Sequence, residues 1–312
     1  MSTRGLNRRA VRARSDRTQR ILQARAAAAL LACVAVPPAA ADGSDAPQAA
    51  TPAGFRWFGL EPAPLTEPLV TDRPDFTESA DAVPRGHIQL EMGYTFTHDR
   101  EGRERTRDHT APELLLRIGL VDDFELRLGW DGYSWQDQLF DVQRDSGFRL
   151  SVEDHIQGSN DVSIGLKYKL FEQEGARPHL GVIAELSMPS GTPEFSAGDV
   201  EPAAILCWAY DLDERWALAG NVGVGAVRGE SNRFAQATSS VSLAYALSER
   251  WGSYAEYFGI YPNADGSDCA HSVNGGLTYL ISDNLQVDLR VGAGLNEEAD
   301  DFFAGAGFAW RW

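Results

Sequence analysis

From His87 to Trp312 the chain keeps returning to a strict two-residue alternation, and one of the two faces so defined carries no charge. The first such run places Ile88, Leu90, Met92, Tyr94 and Phe96 on one side and Gln89, Glu91, Gly93, Thr95 and Thr97 on the other. Successive side chains of a β-strand point to opposite faces, so period two is a strand signal and excludes a helix of the same length. Twelve segments repeat it: 87–98, 110–120, 124–135, 161–171, 179–188, 202–212, 216–227, 238–247, 251–261, 272–281, 285–295 and 302–312. Along all twelve, the face holding Leu114, Leu116, Ile118, Leu126, Leu128, Ile164 and Leu166 has no Asp, Glu, Lys or Arg, although 23% of the chain is charged. None of the segments approaches the 18 or more apolar residues of a spanning helix.

The connections sort the strands into hairpins. Short turns at 121–123, 213–215, 248–250 and 282–284 alternate with longer, acidic connections, the largest being 136–160. Short turns on one side and long loops on the other are the pattern of an outer-membrane barrel, where the uncharged face meets lipid and an even strand count puts both ends on the periplasmic side. Phe124, Trp216, Trp251, Tyr279, Trp310 and Trp312 fall near the short-turn ends, where an interfacial aromatic girdle belongs. The fold expected is therefore all-β: a transmembrane antiparallel up-and-down barrel of about twelve strands. A soluble barrel or sandwich is the alternative, with the apolar face as its core.

The amino terminus is of a different kind. Residues 1–41 hold eight Arg and one Asp, then the apolar stretch 26–36 and an Ala-Ala-Ala end at position 41. A basic start, a short apolar core and a small-residue site read as a secretory signal peptide cleaved after Ala41. Leu30-Leu31-Ala32-Cys33 has some likeness to a lipoprotein box and Arg8-Arg9 to a twin-arginine signal, but the A-x-A site is the better match. With a net charge of −17 overall and +7 in 1–41, residues 42–312 carry −24, which speaks against nucleic acid as a partner. Residues 42–86 read as a periplasmic leader, rich in Pro and Ala up to residue 70, and 87–312 as the barrel.

Just ahead of the first strand stands the polar run TDRPDFTES, followed by VPRGHIQLEMG. This opening resembles that of the phenol meta-pathway degradation family of bacterial outer-membrane barrels, and the likeness extends from Thr71 to Trp312. The resemblance implies a transport role at the outer membrane and, through the family's label, aromatic compounds as solutes. The final Trp310-Arg311-Trp312 resembles the terminal signal read by the barrel assembly machinery.

The face opposite the apolar one holds Glu91, Glu113, Arg117, Glu125, Arg127, Asp131, Lys167, Lys169, Glu185, Glu256, Asp288, Arg290 and Arg311, interspersed with glycines. These should line the lumen. Arg117, Arg127, Lys167, Lys169, Arg290 and Arg311 all fall toward the periplasmic mouth by their distance from short turns. The segment Thr71, Asp72, Arg73, Pro74, Asp75, Phe76, Thr77 and Glu78 is expected to fold into or across that mouth as a plug, with Asp72, Asp75 and Glu78 paired to the bases. The alternative is that the bases pair only with wall residues such as Glu113, Glu125 and Asp288. Mixed charge on the wall points to no particular ion preference.

Catalytic and metal signatures are missing: there is no G-x-S-x-G, H-E-x-x-H or Walker loop, and Cys207 and Cys269 with six scattered His give no zinc spacing. Cys207 mid-strand and Cys269 in a loop are not expected to pair. His87 and His179 open strands on the inner side, His98 ends one, His109 and His155 fall in loops, and His271 borders a strand end. The Asn263-to-Asp268 run lacks the downstream Glu of a calcium loop, and outer-loop acids such as Asp137, Asp141, Asp145, Glu153, Asp154, Glu194, Asp199, Glu201, Glu297, Glu298, Asp300 and Asp301 read as a solvated surface. The expectations are no cofactor, no metal and no enzymatic activity. The partners expected are outer-membrane lipid and lipopolysaccharide, the assembly machinery, and a small-molecule solute crossing by passive passage. A non-conducting envelope barrel is the runner-up. A lipid-modifying enzyme, which would need His or an acid beside a Ser at the lipid face, is third.

Overall fold

In hydrocarbon every backbone N–H and C=O must find a partner within the protein, and strands satisfy this only when the sheet closes. The computed structural model describes residues 54–102, 104–143, 149–229, 232–264 and 266–312. Residues 1–41, read from the sequence as a signal peptide, with residues 42–53, Asp145 and Asp265, lie outside the described residues. Among those described, fourteen strand segments form one antiparallel sheet. They are β1 (Ile88–Glu101), β2 (Glu104–Val121), β3 (Phe124–Trp130), β4 (Tyr133–Gln143), β5 (Arg149–Ser159), β6 (Val162–Phe171) and β7 (His179–Met188), followed by seven more. Those are β8 (Glu201–Asp211), β9 (Trp216–Arg228), β10 (Arg233–Ala246), β11 (Trp251–Pro262), β12 (Ala270–Ser282), β13 (Leu285–Gly294) and β14 (Phe302–Arg311). β2 pairs with β3 and then with β4, while β6 pairs with β3 and β5 with β4. Each of these two couples is thus one long strand with a break, at Asp131-Gly132 and at Asn160-Asp161, and the barrel has twelve strands. β14 pairs with β1, and Trp312 and Ile88 exchange both backbone bonds, which closes the ring.

The long connection expected over 136–160 is instead the β4–β5 hairpin, and β1 and β2 likewise run on past His98 and before Thr110. His109 and His155 therefore sit on β2 and β5, not in loops. Asp137, Glu153 and Asp154 are also strand residues, and Glu201 opens β8 almost fully buried. Above the bilayer both faces of a strand meet water, so the backbone ladder continues where the apolar alternation has stopped.

Side-chain burial is inverted relative to a soluble barrel. Arg117, Arg127, Glu125 and Lys167 are 0% exposed, while Ile164, Leu166, Val222, Val224 and Leu289 are 43–57% exposed. The apolar face meets lipid, as an outer-membrane barrel requires, and no helix among the described residues is long and apolar enough to cross a membrane. Aromatic pairs mark the short-turn rim: Trp216 on Tyr245 and Trp251 on Tyr279 across neighbouring strands, and Trp310 on Trp312 along the last one, with ring centroids 4.6–4.9 Å apart.

One irregularity shapes the lumen. Between β1 and β2 the register shifts opposite Ala111-Pro112, where Pro112 has no N–H to offer the ladder. Inward positions on β2 change there from Thr106, Asp108 and Thr110 to Glu113, Leu115 and Arg117, so Asp108 and Glu113 both face the interior.

Candidate functional site: a lumen crossed by the leader

The leader, the stretch ahead of β1, rises from the short-turn rim into the barrel. Ala63 N–H donates to the Arg85 carbonyl, Leu69 N–H to the Asp283 carbonyl, and the Arg311 guanidinium to the Glu67 carbonyl at 2.8 Å. Residues 71–78 then cross the interior and bond to strands all around it. Asp72 is the centre of one cluster. Its carboxylate accepts from Lys167 Nζ at 2.8 and 2.9 Å and from Arg127, and Arg117 Nη1 lies 3.3 Å away. The same bases also satisfy the wall: Glu125 accepts from Arg117 at 2.9 Å and Arg127 at 3.0 Å, and Glu91 from Arg117 at 3.1 Å. Glu78 takes the other Arg127 nitrogen. The two pairings weighed for these bases, with the leader and with the wall, are thus present together in one buried network.

On the far wall the partners are different. Arg73 makes a two-point contact with Asp288 at 2.9 and 3.2 Å. Its guanidinium lies flat on Gly307 of β14, where a Cβ would come within 2.2–2.5 Å of it. Phe76 and Thr77 N–H groups donate to Glu256 at 2.8 and 2.7 Å. Asn221 exchanges two bonds with the Glu78 backbone, at 2.7 and 3.0 Å, and so acts as a strand edge made from a side chain. Ala80 crosses over Gly181 of β7, where a Cβ would lie 2.6 Å from the Ala80 carbonyl, and packs against Ile183 and Cys207. Cys207 and Cys269 are both free thiols.

Four of the expected pairings do not form, the first being that of Arg311, which reaches Asn284 and the Glu67 and Asp283 carbonyls instead of an acid of residues 71–78. Asp75 faces no base; it is hydrogen-bonded by Ser242 and lies beside Glu256, and burial together with that second carboxylate pushes it well above the usual carboxylate range. Lys169 pairs with Asp81 at 3.1 Å and with Glu172, so it holds the leader at a different point. Arg290 is at mid-height rather than at the mouth, donating to the Pro74 carbonyl at 3.1 Å and to Thr95 at 3.0 Å. Glu185 faces the lumen from β7 and adds its field to Arg127. The sequence reading did not find Arg73 as a partner of Asp288, nor Asn221 and Glu256 as backbone acceptors. Their signal was limited to an inward phase on glycine-rich strands.

Above the leader lies a cavity of about 190 Å³. Its floor is Arg73 to Phe76, and Phe76 stacks on Phe258 at 4.6 Å, which in turn meets Phe303 at 6.1 Å. On the outer wall, His271 reaches Ser239 only through Tyr257 and Tyr261, with steps of 2.7, 3.3 and 3.0 Å.

The family described as "Putative MetA-pathway of phenol degradation" matches residues 71–312, from the first residue of the lumen segment to the closing strand. The chain belongs to this family. Among solved structures, an outer-membrane channel from Pseudomonas putida F1 is 16% identical with a TM-score of 0.50, covering 75% of this chain and 98% of that one. The transport unit of the autotransporter AIDA-I from Escherichia coli is 10% identical at 0.45, covering 72% and 89%. The NanC porin is 9% identical at 0.44, covering 72% and 98%. No curated relative matches the sequence. The Pseudomonas putida channel shares the barrel fold, and the apolar outer belt around a charged interior is that of an outer-membrane barrel.

Proposed function

We propose that this barrel is a channel for passive entry of small organic solutes, aromatic ones among them, and that residues 71–78 are its plug. The observation that carries the reading is the cavity with aromatic groups above a floor made by the leader rather than by the barrel. A solute reaching Phe258 and Phe303 has the outer half of the route behind it, and the leader with the Arg117, Arg127 and Lys167 cluster it pairs with stands between it and the periplasm. The family description and the likeness in fold to the Pseudomonas putida channel support the same class of function. β14, ending beside Trp312, supports recognition by the assembly machinery. The exposed apolar belt supports contact with lipid and lipopolysaccharide.

The test is single-channel conductance of refolded residues 42–312 beside refolded 87–312. Steps in both, larger after truncation, are expected. One observation favours a second reading, a barrel that conducts nothing: Arg117, Arg127, Lys167 and Glu125 are wholly buried, so the periplasmic half is filled. Silence from both chains would establish that reading instead.

A further inference from the structure

The charges of the lumen are separated by depth. Below, Arg117, Arg127 and Lys167 are neutralised by Asp72, Glu78, Glu91 and Glu125. Above the floor the lining carries Asp99, Glu101, Asp108, Glu113, Asp131 and Asp300, against two bases: Arg73, which is held by Asp288, and Arg290, which lies over Phe303 at 5.7 Å, both of them acting on Glu113. Two of these acids have a carboxylate oxygen that is buried with no hydrogen-bond partner: Asp108 Oδ1 and Glu113 Oε2, on residues 6% and 9% exposed. A buried carboxylate oxygen without a donor carries a desolvation cost that a cationic donor removes. Burial and the carboxylates of Asp99, Asp108 and Asp301 push Asp300, in the β13–β14 loop, up to about 7, as expected where acids outnumber bases. Among the described residues no three His, Cys, Asp or Glu converge closely enough to hold a metal ion. The acids line a space beside an aromatic floor, which suits an ammonium with a ring attached. Drug-sized ligands occupy about 300–1,000 Å³, so this smaller cavity takes a single ring with a short arm.

We propose that the outer lumen is a recognition vestibule for small organic cations, a primary ammonium seated at Asp108, level with Phe303 across β1, with its ring toward Phe76, Phe258 and Phe303. This refines the channel reading by naming a solute class, and it rests on that reading only for the route onward.

The experiment is calorimetric titration of the refolded mature chain in detergent with three molecules of one shape: phenethylammonium, 2-phenylethanol and phenylacetate. The ammonium should bind at least tenfold more tightly than the alcohol, and phenylacetate most weakly. Asp108→Asn should weaken the ammonium at least fivefold and leave the alcohol unchanged, with folding checked by heat-modifiable gel mobility. Equal affinities for the three molecules, or a preference for phenylacetate, would overturn the proposal without any variant. So would a variant that weakens ammonium and alcohol alike. Bilayer recordings separate the two readings: silence together with ammonium preference removes the route and keeps the vestibule, and currents without that preference do the reverse.

Discussion

Asp72 and Asp75 stand three residues apart in one segment and have opposite electrostatic surroundings. Burial alone would raise the Asp72 carboxyl, but Arg117, Lys167 and Arg127 outweigh it and hold the group well below its ordinary range. Its stabilising contribution is therefore complete above the unfolded value of 3.8 and is lost as pH falls through the lower folded value. Replacing it by Asn leaves buried bases short of a partner, so Asp72→Asn should cost about 3–5 kcal/mol at neutral pH by urea titration in micelles. The difference from wild type should shrink below pH 4. For Asp75 the sign reverses. Burial and Glu256 favour its protonated form in the folded state, so its contribution is full below 3.8 and is lost as pH rises through the raised folded value. Asp75→Asn, which cannot ionise, should gain about 1–3 kcal/mol at neutral pH, an advantage that fades in acid. Which acid meets a base depends on angular position around the barrel axis. A linear sequence shows that both residues belong to the segment, but not that one points at β2, β3 and β6 and the other at β11.

At the scale of the strand, the glycines of the inner face are where the leader crosses the wall. Gly181→Ala puts a methyl 2.6 Å from the Ala80 carbonyl, and this contact is with backbone, which cannot swing aside. The variant should keep its barrel by heat-modifiable mobility yet expose Arg73 and Arg85 to trypsin several-fold faster. The same scale explains what was legible. All twelve strands could be read wherever lipid imposes an apolar face, because there alternation is obligatory. The β4–β5 hairpin could not, since Trp135, Gln136, Asp137 and Gln138 stand beyond the bilayer and neither face has to be apolar. The bulge at Pro112 was also hidden, although it decides that Asp108 looks inward.

The whole molecule is a barrel turned inside out, with its charge within and its hydrocarbon surface toward the membrane. A single Arg on the outer face, as in Leu166→Arg, should cost about 2–4 kcal/mol in urea titrations of liposome-folded protein. The same substitution facing an aqueous exterior would cost little, so the size of the loss measures how deep β6 sits in the bilayer. In the lumen, by contrast, buried ions are tolerated because the leader brings their counter-charges.

The leader's bonds reach from β1 through to β14, and this bears on the order in which the chain is made. The cluster around Asp72 needs only β1, β2, β3 and β6, all early in the sequence. The clasp of Arg73 needs β13, and the seat beneath it is on β14. Residues 71–78 precede every strand in the sequence, so the sheet can be wound about them as around a mandrel. The last hairpin would then find its register against a template already anchored at the other side. Closure by Trp312 onto Ile88 becomes the final act of a construction that began with its own contents.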